Sequence, residues 1–240
     1  MRKIFCISII LNILLIILMS VAAVKYDWPQ KIMNYISGNR DKSFYNPQVP
    51  HYNALVDVFN KIPARGGDKV ITFLGDSITE FMYFDELLNI EGVKIKNRGI
   101  AGDTTAGILN RLDEITRTHA EKIFVLAGVN DIWNNLDLNQ SKRNYREIIK
   151  TLSEKSPESK IFVQSILPVS DSLNFPKGAI EDFNDEIKKI AADFNCTYLN
   201  IYPLFKNGDV VNEKFFIDGI HMSGDGMKIW ADFLRDYVKD

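Results

Sequence analysis

Val70-Ile71-Thr72-Phe73-Leu74-Gly75-Asp76-Ser77-Ile78-Thr79 is the stretch on which the fold is decided. An apolar-rich run ended by a glycine reads as a short strand covered on both faces, since a strand with one wet face would alternate. A helical segment begins at about Ser77. Downstream, Val93-Lys94-Ile95, Ile123-Phe124-Val125-Leu126, Ile161-Phe162-Val163 with Ile166, and Thr197-Tyr198-Leu199 read as four further strands. Helical spacing of apolar residues falls between and after them, over 105–115, 144–152, 179–194 and 227–238. This β-α alternation predicts an α/β fold with one parallel sheet between layers of helices. In such sheets ligands bind beyond the carboxyl ends of the strands, so candidate catalytic residues should follow strands directly.

Upstream of Val70 the chain changes character. Residues 4–24 contain no charge and follow Arg2 and Lys3. About twenty apolar residues span a bilayer, and the two cations favour a cytoplasmic N-terminus. Residues 1–24 are therefore expected to be a signal-anchor or a signal peptide. The run is longer than a usual secretory core, which favours the anchor, while Ser20-Val21-Ala22 would serve as a cleavage site. Residues 25–48, polar and aromatic with breakers at Ser37-Gly38-Asn39 and Asn46-Pro47, read as a linker. A helix over 51–62, ending before Pro63, opens the domain expected at 49–240.

Composition narrows the function. The chain has 240 residues, 46% of them hydrophobic, with a formal net charge of −2, or about −4 once Arg2 and Lys3 are set aside. No basic block interleaves with aromatics, so nucleic-acid binding is unsupported. Cys6 lies in the apolar N-terminus and Cys196 in the domain, which rules out an intradomain disulfide. No Cys/His cluster has zinc spacing.

Ser77 follows the first strand, at a helix N-terminus where free N–H groups stabilise a developing anion. Alone, Gly75-Asp76-Ser77 is an ordinary turn with an ordinary N-cap. Asp218-Gly219-Ile220-His221 precedes the C-terminal helix, and an Asp three residues before a His can turn its carboxylate toward Nδ1. That leaves Nε2 to take a proton from a serine. His51, in the helix before the sheet, and His119, at the amino end of a strand, read as structural or surface residues. Two more loops follow strands, residues 97–103 and Ala127-Gly128-Val129-Asn130-Asp131. Their exposed N–H groups and the Asn130 amide are candidate donors to an oxyanion. Asp76 reads as structural, and Asp103 and Asp131 as loop-orienting. Gly-x-Ser-x-Gly, the nucleophile elbow of α/β-hydrolases, is absent.

Taken in order, the four blocks resemble the SGNH (GDSL) hydrolases from about Val70 to the C-terminus. The resemblance implies a three-layer α/β/α sandwich, flavodoxin-like, with a five-stranded parallel sheet. It implies Ser77 as nucleophile, Asp218 and His221 as its partners, and an oxyanion hole from the N–H groups of Ser77 and Gly102 with the Asn130 side chain. Neither a metal nor an organic cofactor is called for. The stretch from His51 to Pro63 is similar to bacterial SGNH esterases that deacetylate sugars, sialate O-acetylesterases among them, and to relatives of platelet-activating-factor acetylhydrolase.

The function expected is a serine esterase removing short acyl groups, acetyl first, from carbohydrates. No long apolar insertion supplies a lipase lid, an exported domain meets glycans, and Trp133 near Asn130 can stack on a sugar ring or simply pack. A lysophospholipase or thioesterase-like activity is the alternative among enzymes. A non-catalytic glycan-binding module is the alternative outside them.

Overall fold

Strand β1 (Lys69–Gly75) buries every residue after Lys69, as a strand flanked on both edges and both faces must. The computed structural model describes residues 50–62 and 69–239. The apolar segment and the linker expected at 1–24 and 25–48 lie outside these, and among the described residues no helix is long and apolar enough to cross a membrane.

Around β1 run β2 (Val93–Gly99), β3 (Lys122–Leu126), β4 (Lys160–Gln164) and β5 (Thr197–Leu199), all parallel, in the order β2-β1-β3-β4-β5. All five strands expected from apolar runs are present. The chain leaves β1 toward β2 on one side, then returns to build β3 on the other. That reversal opens a crevice at the carboxyl ends of β1 and β3, where open α/β sheets bind ligands.

One face of the sheet carries a ladder of rings in register. Phe73 pairs with Phe124, and Phe124 with Phe162, with centroids 4.7 and 4.5 Å apart. Helix α3 (Phe84–Leu88) stacks Phe84 on Phe73 at 3.8 Å. The C-terminal helix, α9 (Gly224–Lys239), closes this layer through Trp230 and Tyr237. Each such aromatic pair adds about 0.5–1.5 kcal/mol beyond its buried area. On the opposite face lie α4 (Thr105–Asn110), α5 (Leu112–Thr116), α7 (Leu138–Lys155) and α8 (Ala179–Asp193), with Tyr145 set edge-on to Phe183. The layers are helix, sheet, helix.

Helix α1 (Pro50–Lys61) buries none of its residues. It is tied to the domain by the Tyr52 hydroxyl, which donates to the Gly107 carbonyl at 2.8 Å, and by Phe59 under the Arg98 guanidinium. Between β1 and α3 sits the one-turn helix α2 (Ser77–Glu80). It lies so close to β2 that a Cβ on Gly99 would come within 2.1 Å of the Glu80 backbone nitrogen.

Two expectations need correction. The helix predicted over 105–115 is broken at Arg111, whose φ of −115° and ψ of 15° end α4 and begin α5. The buried Arg111 guanidinium bonds Asp103, Glu114 and the carbonyls of Gly75 and Arg98, and these tertiary demands override helix continuity. The loop expected to hold Asn130 is instead a short helix, α6 (Val129–Trp133), entered through Gly128 at φ 118°.

Candidate active site

Asp76 ends β1 and caps α2, its Oδ1 accepting the Ile78 N–H at 3.0 Å. This cap turns the chain so that Ser77, the first residue of α2, stands at the mouth of the crevice. Its hydroxyl lies 2.8 Å from His221 Nε2. His221 Nδ1 lies 2.6 Å from Asp218 Oδ2, while Asp218 Oδ1 accepts the N–H groups of Ile220 and His221 at 3.0 and 2.8 Å. A carboxylate only accepts, so the ring proton sits on Nδ1 and Nε2 is left to accept from Ser77. Burial alone would raise the Asp218 carboxyl; the bonds from His221 and Ile220 outweigh it and hold it below the ordinary carboxylate range. The loop itself is pinned by the Ser170 N–H, which donates to the Gly219 carbonyl at 2.8 Å.

Three donors border the same space. Gly102 occupies the third place of a turn closed by the Asp103 N–H on the Ile100 carbonyl, and its φ of +77° is the type II value that favours glycine. Among the described residues, the N–H groups of Ser77 and Gly102 have no internal acceptor. The Asn130 Nδ2 spends one proton on the Asp103 carbonyl at 2.9 Å, which fixes the amide and leaves its second proton toward the site. Asp131 receives the Thr105 hydroxyl at 2.6 Å and the Thr105 N–H at 3.0 Å, and Asp103 takes the Arg111 Nε at 2.8 Å.

Burial dominates the acids beneath the site. Asp76, fully enclosed, is pushed up to about 7, with the charges of Asp103 and Asp131 adding to the effect; its Oδ2 has no hydrogen-bond partner. Asp103 is driven up to about 6 against the pull of Arg111. Among the described residues, no group of three or more His, Cys, Asp or Glu side chains is placed to hold a metal ion.

Two hollows meet at Ser77, Phe81 and His221. One, of about 560 Å³, runs under α2 and α3 and is lined by Ile78, Met82, Phe84, Ile95, Met222 and Met227. The other, of about 450 Å³, is lined by Gly102, Asn130, Trp133, Asn134, Leu173 and Asp218. The five site residues expected from sequence thus converge on one crevice. His119, at φ 46°, stands before the amino end of β3 and takes no part. His51 does more than occupy the surface: its Nε2 lies 3.0 and 3.2 Å from the two Glu80 oxygens, and Glu80 also accepts the Ala101 N–H. Glu80 was not singled out from sequence, where only its position three residues after Ser77 sets it apart.

A parallel α/β sheet with a serine, histidine and aspartate chained at its carboxyl edge defines a class, the acyl hydrolases. This chain belongs to the GDSL-like lipase/acylhydrolase family, whose model matches residues 73–229. Among solved structures it is similar to a candidate platelet activating factor from Streptococcus pneumonia, at 25% identity and a TM-score of 0.72, over 80% of this chain and 95% of that one. It is similar to a GDSL-like lipase from Bacteroides thetaiotaomicron, at 20% identity and a TM-score of 0.67, over 82% of this chain and 98% of that one. An acetyl xylan esterase shares the fold at 21% identity and a TM-score of 0.62, over 70% of this chain and 99% of that one. No curated protein matches the chain.

Proposed function

We propose that this acylhydrolase is a serine esterase with Ser77 as nucleophile, His221 as general base and Asp218 as the group that orients it, and that it removes short acyl groups, acetyl among them, from carbohydrate hydroxyls. The observation carrying the reading is the unbroken chain from Ser77 Oγ through the His221 ring to Asp218. As Oγ attacks the ester carbon, Nε2 takes its proton, and the N–H groups of Ser77 and Gly102 with the Asn130 amide receive the oxyanion. The imidazolium then protonates the departing alcohol. Water, activated by the same nitrogen, releases the acid and restores the serine.

For the alcohol, support comes from the second hollow. Trp133 is 45% exposed beside it and tilted against Phe175, so a ring face is open to a sugar. The charge-free run 4–24 behind Arg2 and Lys3, read as a signal-anchor or signal peptide, supports the same reading, since an exported domain meets glycans. The larger apolar hollow favours a second reading, a lysophospholipase-like activity on longer acyl groups.

The test is hydrolysis of p-nitrophenyl esters and acetylated sugars by the wild type and Ser77→Ala, with fluorophosphonate labelling of each. The wild type should be labelled and active, and the variant should be unlabelled and slower by about 10⁴-fold or more. Equal activity in the two proteins rules out Ser77 as the nucleophile. Labelling with no acetate released from any sugar rules out the carbohydrate assignment.

A further inference from the structure

We propose that Phe81 is a positioning residue for the hydrolysis, one that acts through His221 by stabilising the positive charge its ring gains with the serine proton. The inference rests on the reading of Ser77 as nucleophile and His221 as its base, and adds a further side chain to them.

Local sequence puts Phe81 in reach. Ser77 opens α2 and Phe81 caps its end, the Phe81 N–H donating to the Ser77 carbonyl at 3.0 Å. Residues four apart share a helix face, so the nucleophile and the aromatic ring stand on the same side. The Phe81 ring centroid lies 5.5 Å from that of the His221 imidazole, with the planes inclined by 49°. Among the described residues the imidazole is the one ring partner of Phe81. Phe81 is 47% exposed, so the core gains little from it. It also lines both hollows that meet at Ser77, which makes direct contact with substrate the competing role.

Electrostatics gives the ring contact a consequence. While Nε2 only accepts from Ser77, the imidazole carries no net charge. When Oγ bonds to the ester carbon, its proton passes to Nε2 and the carbonyl electron pair moves onto the oxyanion. The ring is then a cation. Asp218 opposes that charge from Nδ1, but its side chain is half-exposed, and water screens it. With both nitrogens occupied, a further stabilising group must meet the carbon edges or the faces of the ring. An aromatic ring does so through its negative face, and the attraction reaches to about 6 Å between cation and ring centroid. A neutral imidazole gains far less, so the stabilisation belongs to the transition state and not to the ground state. At a partly exposed site it amounts to about two- to fivefold in kcat, the equivalent of about 0.5–1 kcal/mol.

The experiment measures kcat and KM for p-nitrophenyl acetate with the full chain in bicelles. It compares the wild type with Phe81→Leu, Phe81→Tyr, and chains carrying monofluoro- or trifluorophenylalanine at the same position. Fluorine draws charge from the ring face at nearly constant shape and makes the ring more apolar. It therefore weakens attraction to a cation without weakening apolar contact with substrate. Phe81→Tyr should keep most of the wild-type kcat, and kcat should fall stepwise from the monofluoro to the trifluoro ring. The trifluoro ring and Phe81→Leu should lie about two- to fivefold below the wild type, with KM little changed. The fluorinated rings decide the matter if Phe81→Leu does not fold. A trifluoro chain with the wild-type kcat, or changes confined to KM, overturns the role while leaving Ser77 in place. No turnover together with no fluorophosphonate labelling of the wild type overturns the reading of Ser77 itself, and the inference with it.

Discussion

Glu80 stands one helical turn beyond Ser77 and accepts the N–H of Ala101, the residue before Gly102. In a type II turn the peptide joining the two central residues sets which way the third residue's N–H points. Turning the Ala101–Gly102 peptide over would carry the Gly102 donor out of the site. Glu80 restrains that turn from one side, and His51 holds Glu80 from the other. It is a positioning residue. Glu80→Ala should lower kcat by up to about 10²-fold with KM little changed, and Glu80→Gln, which keeps an accepting oxygen, should recover most of the loss. Steady-state kinetics on one soluble ester decides it; a loss confined to KM, or no recovery by Gln, contradicts the role. The five motif residues were legible because each directly follows a strand or precedes the last helix. Glu80 and His51 were not, since their partners lie 21 and 29 positions away and obey no period.

At the scale of elements, the strands were legible for a physical reason: parallel strands between two helical layers have no wet face, so they read as apolar runs. Helix ends were less so. α7 starts at Leu138, not near 144, because Asp137 caps it by accepting the N–H groups of Asn139 and Gln140, a polar signal that apolar spacing ignores. The break at Arg111 depends on acceptors from β1, β2 and the site loop, none of them nearby in the periodic pattern. A strand also finishes a distant helix. Lys122 at the start of β3 is 2% exposed and donates to the carbonyls of Tyr237 and Val238, the last turn of α9. A cation there satisfies orphan carbonyls and opposes the negative end of the helix dipole. Lys122→Met should cost about 1–3 kcal/mol by leaving them unpaired. Urea unfolding measures it, and a midpoint within error of the wild type would show that α9 ends without this bond.

For the molecule as a whole, the site is laid over buried acid. Asp76 is fully enclosed, and Asp103 and Asp131 are 4% and 1% exposed, with the Arg111 guanidinium on Asp103 as the nearest compensation. Burial raises Asp76 to about 7, whereas in the unfolded chain an aspartate titrates near 3.9. Between about pH 4 and 7 the folded state therefore holds the proton that the unfolded state has released. Stability falls as pH rises through that window, the reverse of ordinary acid denaturation. A shift of about three units corresponds to on the order of 4 kcal/mol lost by pH 8. Asp76→Asn retains the oxygen that caps α2 but cannot ionise. Its unfolding free energy relative to the wild type should therefore grow from pH 5 to pH 8. Urea titrations of the two proteins at pH 5, 6, 7 and 8 give that difference directly. A difference that stays constant across the series would mean that Asp76 carries the same charge folded as unfolded, and that the cost of its burial is met by a partner on Oδ2.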